Sequence, residues 1–177
     1  MLTKLKKMII TIVLCAIGIL IPMYSPVKYI LVPASFTLGS HIALFLAMFI
    51  SPVTALFVAL GTTLGFYFGN FSSVIVFRAL SHIIFSLVGA IYLKKHPQTL
   101  INIRKLVVFA LLIAILHGAS EVFAVSAFYF QNIMAKAYYA EGYLYSVIGL
   151  VGIGTLIHSI VDFIIAALIW RALTFRK

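Results

Sequence analysis

The stretch Val74-Ile75-Val76-Phe77-Arg78-Ala79-Leu80-Ser81-His82 opens an apolar run that continues to Leu93. At about 20 residues the run is long enough to cross a bilayer as a helix. Nothing apolar favours a guanidinium there, and an arginine at membrane depth costs roughly 2.5–3.5 kcal/mol on insertion scales. Arg78 therefore implies an anionic partner. Two later apolar runs repeat the spacing of Arg78 and His82: His117-Gly118-Ala119-Ser120-Glu121 and His158-Ser159-Ile160-Val161-Asp162. In each, side chains four residues apart share one helix face. Three buried helices thus each present a pair of polar side chains, and the pairs are expected to face one another.

Composition agrees with a membrane setting. Of 177 residues, 64% are hydrophobic and 9% are charged, against about a quarter charged in soluble domains. The expected fold is an all-α integral membrane protein, a single domain over residues 1–177. The formal net charge of +10 would suit nucleic acid only if the bases shared a solvated face. They fall at helix ends instead, which is the signature of membrane orientation. The partner they imply is the lipid bilayer, not nucleic acid. The lone Cys15 excludes an intrachain disulfide.

Hydropathy and turn residues divide the chain into six spans. The first runs from Leu5 to Ile21 and stops at Pro22. It resembles a signal peptide, but no A-x-A-like cleavage site follows, so it is read as a transmembrane helix. The second covers Ala34 to Ile50 with Pro33 ahead of its first turn, and the third Val53 to Phe68. The fourth is Val74 to Leu93, the fifth Ile103 to Phe130 and the sixth Tyr145 to Leu173. Six spans put both termini on one side. Ten basic residues, including Lys4, Lys94, Lys95, Arg104 and Arg171, then share that side, and only Lys28 and Lys136 lie opposite. The positive-inside rule makes both termini cytoplasmic.

With a rise of about 1.5 Å per residue, Arg78 and Glu121 both reach the outer half of the membrane and can pair there. His82 and His117 share the level below, and His158 and Asp162 lie deeper. Plain helix packing is the simpler use of such groups, but interhelical polar contacts contribute only about 0.6 kcal/mol on average, small against the cost of burying Arg78 and Glu121. Three histidines and two carboxylates also suit zinc, which keeps an intramembrane metal-dependent hydrolase as an alternative. The HExxH pattern is absent, however, because Glu121 rather than a histidine stands four residues after His117. Neither a metal nor a cofactor is expected, and with no GxxxxGK[ST] loop the chain does not hydrolyse ATP by that route. Most tyrosines, Tyr139 and Tyr143 among them, fall at the outer mouth, as an interfacial belt or as lining of an outward pocket. Gly61, Gly65 and Gly69 form overlapping GxxxG units that let a helix approach closely.

The layout resembles the substrate-binding S components of energy-coupling factor (ECF) vitamin transporters. The resemblance covers nearly the whole chain. It is carried by Pro33-Ala34-Ser35 through Gly39-Ser40-His41, by Ala47-Met48-Phe49-Ile50-Ser51-Pro52 and by Arg78-Ala79-Leu80-Ser81-His82. These segments look most like the niacin-specific member. The resemblance implies a vitamin site near the outer face with the first loop as lid, in a bacterial plasma membrane. It implies Arg78, His82, His117 and Glu121 as substrate-binding residues, to which His41, Tyr139 and Tyr143 are added. It also implies a partner module of a transmembrane T component and two ATPases. That module would dock on the small-residue face of the first helix at Cys15, Ala16 and Gly18, although no clean Ala-xxx-Ala pair is present. Nicotinate fits the chemistry, since arginine meets a carboxylate with two parallel hydrogen bonds; a different small water-soluble vitamin is the alternative substrate.

Overall fold

The computed structural model describes residues 3–31 and 34–174, with the side chains of 28–31 and 34–35 left out. Pro33 lies outside the described residues, as do Arg176 and Lys177, two of the ten basic residues counted on one side. Helix α1 (Lys4–Tyr24) starts at Thr3, whose hydroxyl accepts from Lys6 N–H, and it contains Pro22. The expected stop at Pro22 is therefore one turn early. A proline removes one N–H and crowds the carbonyl four residues back, and so close to the helix end that cost falls on a single turn.

The larger departure follows. The expected second span begins as a hairpin, not a helix. Strands β1 (Lys28–Leu31) and β2 (Ala34–Thr37) pair antiparallel with Lys28 opposite Thr37 and Leu31 opposite Ala34. Gly39, at φ +84°, turns the chain in the left-handed region that glycine tolerates. Helix α2 (Ile42–Ile50) follows. Nine residues rise only about 14 Å, well short of a bilayer, so α2 enters the bundle from part-way. It is almost wholly buried, with Phe45, Ala47 and Met48 at its centre, and it packs against α1, α3, α4 and α7.

Ser51 caps α3 (Pro52–Phe68) by accepting from Thr54 N–H. Helix α4 (Ser73–Lys95) and a 3₁₀ turn (Pro97–Leu100) lead to Asn102, which caps α5 (Ile103–Phe130). After the short α6 (Ala137–Ala140), the chain enters a π-helical segment (Leu144–Ile153) that runs on into α7 (Gly154–Thr174). Among the described residues, α1, α4, α5 and the joined Leu144–Thr174 helix are each long and apolar enough to cross a membrane, and α3 is a shorter apolar helix. The outer surface carries Phe123, Phe68 and Leu112 exposed, as expected where lipid is the solvent.

Below the polar residues the bundle is closed by aromatic rings. Phe45 meets Phe85 at 5.6 Å and Phe163 at 5.3 Å between centroids. On one flank α1 lies against α3 through the glycine face: a Cβ on Gly61 would strike the Cys15 sulfur, and one on Gly65 would strike Ile19. Gly18 is buried on the same seam against Thr62. Cys15 and Gly18, expected to dock a partner, are thus occupied inside the molecule, and of the three only Ala16 is exposed.

Candidate functional site

Three helices bring their polar pairs together, and the end of the hairpin adds a fourth contribution. Arg78 and His82 stand one turn apart on α4, His117 and Glu121 on α5, and His158 and Asp162 on α7. Glu121, 2% exposed, is the hub. Its Oε2 accepts from Arg78 Nε at 3.2 Å and Nη2 at 2.7 Å, and from the Thr155 hydroxyl. Its Oε1 accepts from His82 Nε2 at 2.9 Å, while His117 Nε2 lies 3.6 Å away. His117 donates or accepts through Nδ1 at the Ser159 hydroxyl, 3.1 Å distant. Arg78 therefore has its anionic partner, as the cost of burying a guanidinium demands.

Asp162 organises the other half. Its two oxygens accept the backbone N–H groups of Gly39 at 2.8 Å and His41 at 2.9 Å. These are donors left free at the start of α2, so one carboxylate of α7 fixes the junction of hairpin and helix. His41 Nδ1 and His158 Nε2 each stand 3.3 Å from Asp162 Oδ2, and the Ser40 hydroxyl bridges the same two ring nitrogens at 3.1 and 3.0 Å. His41 consequently sits between the two carboxylate centres, its ring centroid within 5.0 Å of those of His82, His117 and His158.

A cavity of about 150 Å³ opens above these groups. Arg78, His82, Glu121, His41, His158 and Thr155 line its polar side, and Phe36, Phe66, Phe71 and Ile75 its apolar side. Phe36, from β2, closes one wall: its ring is 5.6 Å from His158 and rests on Gly154, where any Cβ would collide with it.

Of the residues expected to bind substrate, Arg78, His82, Glu121 and His41 line this cavity. His117 does not; it is fully buried behind Glu121. Tyr139 and Tyr143 lie elsewhere, in an aromatic group with Tyr129 and Phe130. There the Tyr139 hydroxyl accepts from Met134 N–H and the Tyr143 hydroxyl bonds Ser126. Thr155, Ser40 and Phe36 were not expected at the site. Thr155 stands three residues before His158 on the same face, which is a usable signal, but a threonine in an apolar helix usually bonds its own backbone. Two serines of the polar helices bond in that way. Ser81 donates to Arg78 O at 2.7 Å and Ser120 to His117 O at 2.8 Å.

No family model and no solved structure matches the chain. The niacin transporter NiaX of Lactococcus lactis subsp. cremoris (strain MG1363) is 43% identical over 166 residues, which cover 92% of this chain and 72% of the transporter. With that identity over most of both proteins, the chain belongs to the niacin-specific S components of the ECF vitamin transporters, the family its sequence resembles.

Proposed function

We propose that the chain captures nicotinate near the outer face of a bacterial plasma membrane, and that it delivers the vitamin inward in association with a T component and two ATPases. It is a binder and not an enzyme. The observation that carries this reading is the match between cavity and ligand. A space of about 150 Å³ lies below the usual range of roughly 300–1,000 Å³ for drug-sized ligands. An engineered protein cavity of about that volume takes up benzene, so the space suits a single six-membered ring better than a fused or tailed vitamin. The ring would lie between Phe66, Phe71 and the imidazoles, with its carboxylate on the edge of Arg78 that Glu121 leaves free. The hairpin serves as lid, with Phe36 as its inner face. Six crossings and cytoplasmic termini complete the reading, α2 and the hairpin together making one crossing.

The test is a thermal-shift and calorimetric screen of the detergent-purified chain against water-soluble vitamins. Nicotinate should stabilise it, nicotinamide should do so more weakly because the negative charge is gone, and thiamine and riboflavin should have no effect. Stabilisation by a larger vitamin with none by nicotinate would overturn the assignment.

A further inference from the structure

Three imidazoles stand edge to face around one point. Their ring centroids are separated by 4.8 Å (His41–His82), 4.6 Å (His41–His117) and 4.8 Å (His82–His117), at interplanar angles of 75°, 73° and 89°. Glu121 closes the group, and one ligand atom from each of the four residues lies within 4.8 Å of all the others. We propose that His41, His82, His117 and Glu121 form a site for a divalent transition-metal ion of the zinc class. The site opens on the cavity through His41, His82 and Glu121, where the ion, held by its four protein donors, would add the ring nitrogen of the vitamin as a fifth ligand while Arg78 takes the carboxylate. The second half of this proposal rests on the nicotinate reading; the ion site does not.

The distances from Glu121 suit an ion. Donors about 2.0–2.1 Å from a tetrahedral zinc stand roughly 3.3 Å apart. The separations of Glu121 Oε1 from His82 Nε2 and His117 Nε2, 2.9 and 3.6 Å, bracket that value. His117 Nε2 is buried and has no hydrogen-bond partner among the described residues. A buried nitrogen left in that state is costly, and it points at the carboxylate oxygen that the ion would share.

The surroundings are built as ligand supports. A metal-bound histidine almost always engages its other ring nitrogen with a carboxylate, carbonyl or similar group, which fixes the ring and its tautomer. His41 Nδ1 faces Asp162 at 3.3 Å, and His117 Nδ1 meets the Ser159 hydroxyl at 3.1 Å. Both rings therefore keep Nε2 for a ligand. Glu121 divides its oxygens in the same sense, Oε2 to Arg78 and Thr155 and Oε1 to the histidines. Imidazole and carboxylate together select zinc-like ions over calcium or magnesium, which take oxygen ligands.

Charge argues the same way. The site holds two carboxylates against one guanidinium, and an incoming vitamin anion adds a third negative charge to a water-poor space. A divalent cation restores the balance. A second grouping, His41 with His158 and Asp162, shares His41 and is the weaker candidate, because both Asp162 oxygens already accept backbone N–H groups.

The experiment uses the full chain carrying an affinity tag without histidines, stripped with a chelator and titrated with Zn²⁺ in the absence of vitamin. One ion per chain is expected. Ser159→Ala, which frees the His117 ring, should weaken zinc binding on the order of 10–100-fold, and His117→Ala should abolish it. No uptake by the stripped wild type, or uptake unchanged in both variants, overturns the site; the wild-type titration and Ser159→Ala decide the matter even where His117→Ala fails to fold. Nicotinate and benzoate, which differ only in the ring nitrogen, are then compared with and without zinc. Zinc should strengthen nicotinate by roughly tenfold or more and leave benzoate unchanged. Equal nicotinate affinity in the two states overturns the metal–nitrogen contact. Zinc uptake with no nicotinate binding in either state upholds the ion site and refutes the nicotinate reading.

Discussion

Arg78 gives Glu121 two hydrogen bonds through Nε and Nη2, so the ion pair and the proposed carboxylate anchor use different edges of one guanidinium. The two roles separate by mutation. Arg78→Ala strands a carboxylate that is 2% exposed, and breaking a buried pair in this way costs about 3–5 kcal/mol. The double change Arg78→Met with Glu121→Gln removes both charges and should restore the melting temperature toward wild type. It should not restore nicotinate binding, which calorimetry measures directly; wild-type affinity in that variant would make Arg78 a structural ion alone. At this scale the sequence was legible where chemistry and spacing coincide. An arginine in an apolar helix demands a carboxylate, and Glu121 lay at the matching depth. Tyr139 and Tyr143 were less legible, because an aromatic residue at the membrane surface packs equally well into a local cluster or over a pocket. His41 was among the expected residues, but its place between the two carboxylates was not legible, since it depends on Asp162 accepting the His41 N–H from 121 residues away.

At the scale of elements, α5 was readable to its ends, Ile103–Phe130, because a good cap in Asn102 precedes an unbroken apolar run. The region Ala34 to Ile50 was not. Its apolar residues satisfy a helix and a strand equally well over so short a length, and the signal that separates them is Gly39-Ser40, where the chain breaks. The π-helical segment was likewise hidden, since hydropathy does not register how many residues complete a turn. It matters for the site, because it brings Gly152 against α5. A Cβ on Gly118 would stand 2.9 Å from the Gly152 carbonyl oxygen, a backbone atom that cannot swing aside. Gly118 lies between His117 and Glu121, and Gly152 lies one turn before Thr155. Gly118→Ala should therefore push the two helices apart, cost about 1–3 kcal/mol through overpacking, and weaken nicotinate binding by loosening Thr155 from Glu121. Thermal unfolding and calorimetry on the same preparation test both effects; unchanged values would mean that the helices absorb a methyl group there.

For the whole molecule, orientation rests on charge. The basic residues near Lys4, Lys94 and Arg171 should lie in the cytoplasm, and Lys136 outside. With Cys15 replaced by alanine, a single cysteine introduced beside Arg171 should be reached by membrane-impermeant thiol reagents only after the cells are opened, and one at Ala135 before. The reverse pattern would invert the topology. Binding and accumulation should also part company: proteoliposomes holding this chain alone should bind nicotinate without concentrating it, whatever ATP is supplied. Ten basic residues against two carry the expected sidedness, and the labelling decides it. The second expected span was harder to read, because α2 has only nine residues and a hairpin precedes it.

The contact of Phe36 with Gly154 bears on time rather than on affinity. A closed hairpin whose ring rests on a bare backbone has a shallow seat, held by one aromatic face and by the two N–H groups that Asp162 receives just beyond it. With the hairpin as the proposed lid, a vitamin beneath it should escape no faster than that seat opens, so its dwell time should follow the fit of Phe36 on Gly154. Adding a methyl group at position 154 should prop the hairpin ajar and shorten the dwell time, while Arg78 and His82 on α4 and Glu121 on α5 stay in place.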